Sequence, residues 1–364
     1  MMHGDTLIRI SLNALGQNMD MLRQLMGPEV AVMAVIKANG YGHGAMEIAP
    51  TLLQHGACYL AVARLEEALP LRKTYPDAPL FVLGHTPDRL LECAALNRIT
   101  LTVFSVHQAT LLNAIGEKNG IRPTVHLKAE TGFNRLGTDD LEEMKSILRL
   151  PHLYVEGIYS HLALKDRPSD ELQLNRFLSI VDALENEGHF FRYKHIADSI
   201  SCVDYPDFRL NMVRPGALLY GMKGFESDAL SPIPALSMET RITRLRRLAP
   251  GEGVGYDLSW QAQRPSVIAT LPFGYGDGYP RTLGGSGYVT IRGIKCPLVG
   301  VMCMDQCVAD VTEVPGVQVG DLAIIYGDGI RNTLSIQEAA SLAGTNKNEL
   351  LCRLTERPFR VYEE

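Results

Sequence analysis

A chain of 364 residues, 46% hydrophobic and 21% charged, has the composition of an ordinary soluble globular protein and the length of two domains. Its net charge of −6, with no basic block, argues against a nucleic-acid partner, and no run is long and apolar enough to span a membrane. The start "MMHGDTLIRISLNALGQNMD" lacks the pattern of a secretory signal, and the seven cysteines are scattered, with no second pair beside Cys303 and Cys307 to complete a zinc site. The expectation is a cytoplasmic protein with buried, reduced thiols and no metal.

The stretch "TLIRISL" (6–12) comes first and has no partner among the segments that follow it directly. It is expected to pair with the far end of the chain. Eight apolar runs come next: 30–36, 58–63, 79–84, 99–104, 122–128, 153–160, 192–197 and 210–216. Helix-like segments separate them, several opening on an Asp, Ser or Thr cap. Apolar strands alternating with helices predict a parallel sheet, and eight such units predict an α/β fold of the (β/α)8 type, with an open doubly wound sheet as the alternative because the eighth unit is weak. From about Ser237 the texture changes to alternating runs broken by Gly, Pro and Asp turns, which predicts a C-terminal all-β domain. The expected division is residues 1–10 as a strand joining the β domain, 11–230 as the barrel, and 231–364 as the β domain.

Catalytic groups of such barrels sit at the C-terminal ends of the strands. There the sequence places Lys37 in "VIKANGYGHG", Lys128 and Arg135 in "HLKAETGFNRLG", His161 in "GIYSHLA", His195 and Ser199 in "HIADSIS", and Arg214, Gly216 and Ala217 in "MVRPGALLYG". A lysine in an apolar mouth loses stabilisation of its charge, so its amine becomes a nucleophile toward carbonyls. Gly40, Gly42 and Gly44 are expected to leave room for a ligand, and Tyr41 and His43 to add polar tips. Ser199 is read either as a helix N-cap or, with Gly216 and Ala217, as part of a phosphate site.

These motifs, together with "LPFGYGDGYPR" and "GVMCMDQC", occur in an order that resembles the alanine racemase family over nearly the whole chain. The resemblance implies pyridoxal 5′-phosphate as cofactor, held covalently by Lys37. Tyr41, Ser199, Gly216 and Ala217 would bind its phosphate, His161 would pack at its ring, and Arg135 would reach its phenolic oxygen and the substrate carboxylate. Arg214 would face the ring nitrogen. Lys128 matches a lysine often carbamylated in the family. Lys37 and Tyr256 would be the two bases that exchange the proton on opposite faces of the substrate Cα. Tyr256 would come from the partner subunit of a homodimer with shared sites. Met304 would bind the substrate through its backbone N–H, and Tyr275 and Arg281 would line the access corridor. The implied activity is interconversion of L-alanine and D-alanine, supplying D-alanine to a cell wall. The alternatives are a serine or broader-specificity racemase, a decarboxylase of similar fold, and a non-catalytic cofactor-binding protein. The chain departs from the family pattern at Glu130, at Val301, where an arginine is common, and at Glu356, where a tyrosine is common near the phosphate. Acceptance of serine beside alanine is the expectation attached to Glu356.

Overall fold

The computed structural model describes residues 4–364. The strands in chain order are β1 (Leu7–Ser11), β2 (Ala31–Val35), β3 (Tyr59–Val62), β4 (Leu80–Val82), β5 (Thr100–Val103), β6 (Thr124–Lys128), β7 (Tyr154–Tyr159), β8 (Tyr193–His195) and β9 (Met212–Val213). They continue as β10 (Leu236–Arg241), β11 (Arg244–Leu248), β12 (Gly253–Val254), β13 (Trp260–Gln261), β14 (Ser266–Leu271), β15 (Tyr288–Ile291), β16 (Ile294–Pro297), β17 (Cys307–Asp310), β18 (Leu322–Tyr326) and β19 (Phe359–Glu363).

Each of the eight apolar runs becomes one strand of a parallel sheet in the order β8-β7-β6-β5-β4-β3-β2-β9. Strands β3, β4 and β5 are buried at every position, as expected of a sheet covered on both faces. Among the described residues no ladder pairs β8 with β9. Closure is instead made by the backbone bond from Arg214 N to Ala197 O (3.0 Å) and by the Asn211 side chain. Its Oδ1 accepts from Lys194 N at 2.7 Å and its Nδ2 donates to Arg192 O at 2.8 Å. The eighth unit reads weakly because β9 has two residues and a side-chain amide stands in for the ladder bonds it cannot make.

The helices between strands start where the sequence supplies a cap. Ser11 accepts from Ala14 N, Ser105 from Gln108 N, Asp140 from Glu142 N, and Asp166 from Ser169 N. Past residue 235 the chain forms a six-stranded sheet, β16-β15-β18-β10-β1-β19, and a three-stranded sheet, β11-β14-β17. In the first of these, β1 runs antiparallel to β10 and parallel to β19, so both ends of the described chain meet in one sheet. All seven cysteines are free thiols; Cys202, Cys296 and Cys307 are buried, but Cys352 is exposed, so burial does not extend to the whole set. Among the described residues no helix is long and apolar enough to cross a membrane, and no group of three or more His, Cys, Asp or Glu is placed to hold a metal ion.

Candidate active site

A cavity of about 390 Å³ opens at the C-terminal end of the barrel, lined by Lys37, Tyr41, Lys128, Arg135, Tyr159, His161, Asp198, Ser199, Arg214, Gly216 and Ala217 among others. Nine residues singled out in the sequence thus converge from five strand ends.

Lys37 follows β2 directly, and the chain then turns through a left-handed stretch. Ala38, Asn39 and Gly40 lie at φ/ψ of 53°/51°, 53°/48° and 62°/41°, and Tyr41 follows at φ 52°. Such a run costs about 1–2 kcal/mol at each residue bearing a Cβ. Hydrogen bonds hold it. Ala38 N donates to Glu67 Oε1 (2.6 Å), Ala45 N to Asn39 Oδ1 (2.9 Å), and Gly40 N to Ile36 O (2.8 Å). The glycines do not open space for a ligand, contrary to expectation. A Cβ on Gly40 would lie 2.6 Å from Ile48 Cδ1, one on Gly42 would lie 2.5 Å from Leu351 O, and one on Gly44 would overlap the Tyr362 hydroxyl. They permit close packing and positive φ on the side away from the cavity. His43 also turns away. Its ring is fully buried against Tyr220 (centroids 4.5 Å apart), and Nδ1 lies 3.1 Å from both Gly40 O and Tyr41 O.

The Lys37 amine makes no hydrogen bond within the chain, and burial first, then the charge of Arg135, lowers its pKa. Lys128 is buried with its Nζ 4.3 Å above the Tyr159 ring, and burial together with Arg214 brings its pKa well below the usual lysine range. Arg214 is buried beneath the cavity. Its Nη1 donates to His195 Nδ1 (2.7 Å), and its Nη2 donates to Ser160 O (2.8 Å) and Ile196 O (3.0 Å). A guanidinium carries five N–H groups, so donors remain for the cavity. Burial pulls Arg214 down to about 10, which leaves it protonated at neutral pH. His161 stands among these cations. Burial, then Arg214, Lys128, Arg135 and Lys37, press its pKa down to about 2, so its ring is neutral. Arg135 stacks over Phe133 at 4.3 Å, and Phe133 packs on His161 at 5.0 Å.

At the far end of the cavity Ser199 does not cap the helix that follows it. Asp198 does so, accepting from Ile200 N (3.0 Å) and Ser201 N (3.1 Å). Ser199 Oγ instead accepts from Gly216 N (2.8 Å) and Leu218 N (3.3 Å), which leaves its own hydroxyl proton to be donated. Ala217 N and Tyr41 Oη have no partner within the chain. A Cβ on Gly216 would sit 2.6 Å from Tyr41 Oη, so only a bare Cα lets that hydroxyl lie over this turn. Three unused donors and the guanidinium groups of Arg135 and Arg214, beside the amines of Lys37 and Lys128, fit a ligand with a phosphate and further anionic oxygens, and pyridoxal 5′-phosphate has that charge pattern.

The remaining candidates lie elsewhere. Tyr256 is 65% exposed and Met304 52% exposed, and Tyr275 and Arg281 are exposed as well; none lines the cavity with Lys37. The loops that carry Tyr275 and Met304 are joined to each other. Tyr275 N donates to Cys303 O (3.3 Å) and Gly276 N to Met304 O (2.8 Å). Arg357 clamps the two loops through Asp277 (3.3 Å) and Asp305 (2.9 Å). Val301 and Arg281 share a shallow groove. Glu356 is exposed and outside the cavity, next to the clamping arginine. Sequence reading missed Asp198, Glu67, Tyr159, His126 and Glu156. Glu156 had a signal in "VEGIY", a charge followed by glycine inside an apolar strand, which marks a bulge.

The alanine racemase N-terminal domain matches residues 10–224 and the alanine racemase C-terminal domain matches residues 235–362. An alanine racemase of Desulforamulus reducens is 38% identical over 97% of both chains, and one of Methanococcus maripaludis is 37% identical with the same coverage. Among solved structures, an alanine racemase of Clostridium difficile superposes with a TM-score of 0.93 at 33% identity, covering 100% of this chain and 97% of that one. One of Bacillus anthracis with bound L-Ala-P gives 0.91 at 29% identity, covering 100% and 96%. Two matching domains in order, full-length relatives and the same fold leave one conclusion: the chain belongs to the alanine racemase family.

Proposed function

We propose that this chain interconverts L-alanine and D-alanine with pyridoxal 5′-phosphate, as a cytoplasmic homodimer with shared sites that supplies D-alanine to a cell wall. The observation that carries this reading is the unpaired, desolvated Lys37 amine in one cavity with Arg214, His161 and the donors of Tyr41, Ser199 and Ala217. In this reading the chain divides at residues 10 and 230.

When bound, the cofactor supplies an aldehyde for the lysine and a ring that draws electron density from the substrate Cα. Tyr41, Ser199, Gly216 and Ala217 would hold its phosphate, and Arg135 its phenolic oxygen and the substrate carboxylate. Arg214 keeps its proton, so it donates toward the ring nitrogen without protonating it. That restrains electron withdrawal and favours proton exchange at Cα over transamination. Lys37 serves one face of Cα. The other face needs a base that this chain does not bring to its own cavity, and Tyr256 of the partner subunit fills that role, with Met304, Tyr275 and Arg281 on the same wall. A non-catalytic cofactor carrier has no use for that second wall.

The test is complementation. Lys37→Ala and Tyr256→Phe homodimers are each expected to be nearly inactive. Unfolded together and refolded, half the dimers are mixed and each mixed dimer has one intact site, so about a quarter of wild-type activity returns. No recovery from a mixture shown to contain mixed dimers refutes the shared site.

A further inference from the structure

The barrel interior holds charged and titratable groups that this chemistry leaves unused. Beneath Arg214 lie His195 and His126, both fully buried, and then Glu156 on β7, 6% exposed. They form one chain of contacts. Arg214 Nη1 meets His195 Nδ1 at 2.7 Å, His195 Nε2 meets His126 Nδ1 at 2.8 Å, and His126 Nε2 lies 3.4 Å from Glu156 Oε2. Glu156 also accepts from Tyr59 Oη at 2.6 Å and from Arg192 Nη1 at 3.1 Å.

The chain has a direction. A guanidinium only donates, so His195 Nδ1 accepts. A neutral His195 then carries its proton on Nε2 and donates to His126 Nδ1. His126 in turn carries its proton on Nε2, facing the carboxylate. Burial keeps both imidazoles neutral, and the hydrogen bonds from His126 and Tyr59 keep Glu156 ionised. Among the described residues no carboxylate lies within 4 Å of Arg214, and the carboxylate whose charge acts on it is Asp198 on the cavity wall. The backbone is shaped for this chain. The β6–β7 register shifts between Val125 and His126, leaving Glu156 as the extra residue of a bulge, the device that re-aims a side chain. Next to it, a Cβ on Gly157 would stand 2.9 Å from His126 Cε1 and Nδ1, so glycine makes room for the ring.

We propose that Glu156 is a positioning residue that acts on the site through His126 and His195: it fixes their Nε2–H tautomers and thereby holds Arg214 as a donor toward the cavity. The effect on chemistry rests on the functional reading above, in which Arg214 faces the ring nitrogen.

Two measurements test it. Long-range ¹H–¹⁵N NMR of the full-length protein labelled at histidine is expected to show neutral Nε2–H rings at His126 and His195; an Nδ1–H or a charged ring at either overturns the proposal without reference to any cofactor. Glu156→Gln, loaded with pyridoxal 5′-phosphate, is expected to lose about tenfold in kcat with KM little changed. The share of turnovers ending in transamination, where the keto acid leaves and the amino nitrogen stays on the cofactor, is expected to rise about tenfold as Arg214 loses its restraint. Glu156→Asp, which restores the charge, moves that share back toward wild type. A Glu156→Gln protein with wild-type partition, whose kcat falls only as far as its thermal stability, overturns the proposal. Wild-type protein in which borohydride fixes no cofactor on Lys37 overturns the functional reading instead.

Discussion

Gly216→Ala is the sharpest probe of the end of the cavity to which the proposal assigns a phosphate. The new Cβ would meet Tyr41 Oη at 2.6 Å, Cζ at 3.1 Å and Cε2 at 3.4 Å, where ordinary contact begins at 3.4 Å. The tyrosine hydroxyl must therefore retreat by nearly an ångström. It has little room to do so, because Tyr41 is buried, packs on Tyr220 at 5.0 Å between centroids, and is already held at φ 52°. Overpacking of this kind costs about 1–3 kcal/mol. If the strain is relieved by moving Tyr41 off the turn, the cradle loses one of its donors and the affinity for pyridoxal 5′-phosphate falls roughly 5- to 150-fold. The assay is equilibrium reconstitution of apo protein followed by absorbance, run in parallel with pyridoxal, which lacks the phosphate. The loss should be confined to the phosphorylated compound. It should shrink by about 1 kcal/mol in a Tyr41→Phe background, where the nearest clashing atom is absent. Equal weakening of pyridoxal and its phosphate, or no weakening of either, would refute the assignment of Tyr41, Ser199, Gly216 and Ala217 to a phosphate.

Acid should weaken the protein through its buried histidines. Burial lowers His43 from 6.5 to about 4, so the unfolded chain binds a proton there that the folded chain refuses, and stability falls as pH drops from 6.5 toward 4. The full window is worth about 3 kcal/mol, and urea unfolding at pH 7 and pH 4.5 should show His43→Gln losing most of that share of the acid dependence. Glu67 accepts from Ala38 N (2.6 Å), Ala63 N (2.8 Å) and Arg64 N (3.1 Å), so Glu67→Ala releases the left-handed turn behind Lys37. A stability loss of about 2–4 kcal/mol with slower cofactor attachment is expected from three charge-assisted bonds, and unchanged unfolding would contradict it. Burial and the charge of Arg214 bring the Lys128 pKa well below the usual lysine range, which favours the amine form that attacks carbon dioxide, and carbamylation there is the expected outcome. A ¹³C carbamate signal should appear in bicarbonate-grown protein and vanish in Lys128→Ala.

The eight barrel strands were legible because each is a continuous apolar run, and a strand buried on both faces cannot be written otherwise. Strand-end residues such as Lys37 and Arg214 were legible for the same reason: where the apolar run stops, the mouth of the barrel begins. The choice between the two readings of Ser199 was not, because it is decided by Gly216 N, seventeen residues away, rather than by its own helix. Nor was the full left-handed turn at 38–41, where Asn39 and Gly40 tolerate positive φ but Ala38 and Tyr41 give no sign of it, and the compensating bonds come from Glu67 and Asn39 after folding. The line from Arg214 to Glu156 joins residues on β6, β7, β8 and the end of β9 that nothing in local spacing connects. Periodicity in a chain reports which face of an element is dry. Which polar groups then meet inside is set by how strands align across the barrel, and that alignment exists only once the sheet has closed.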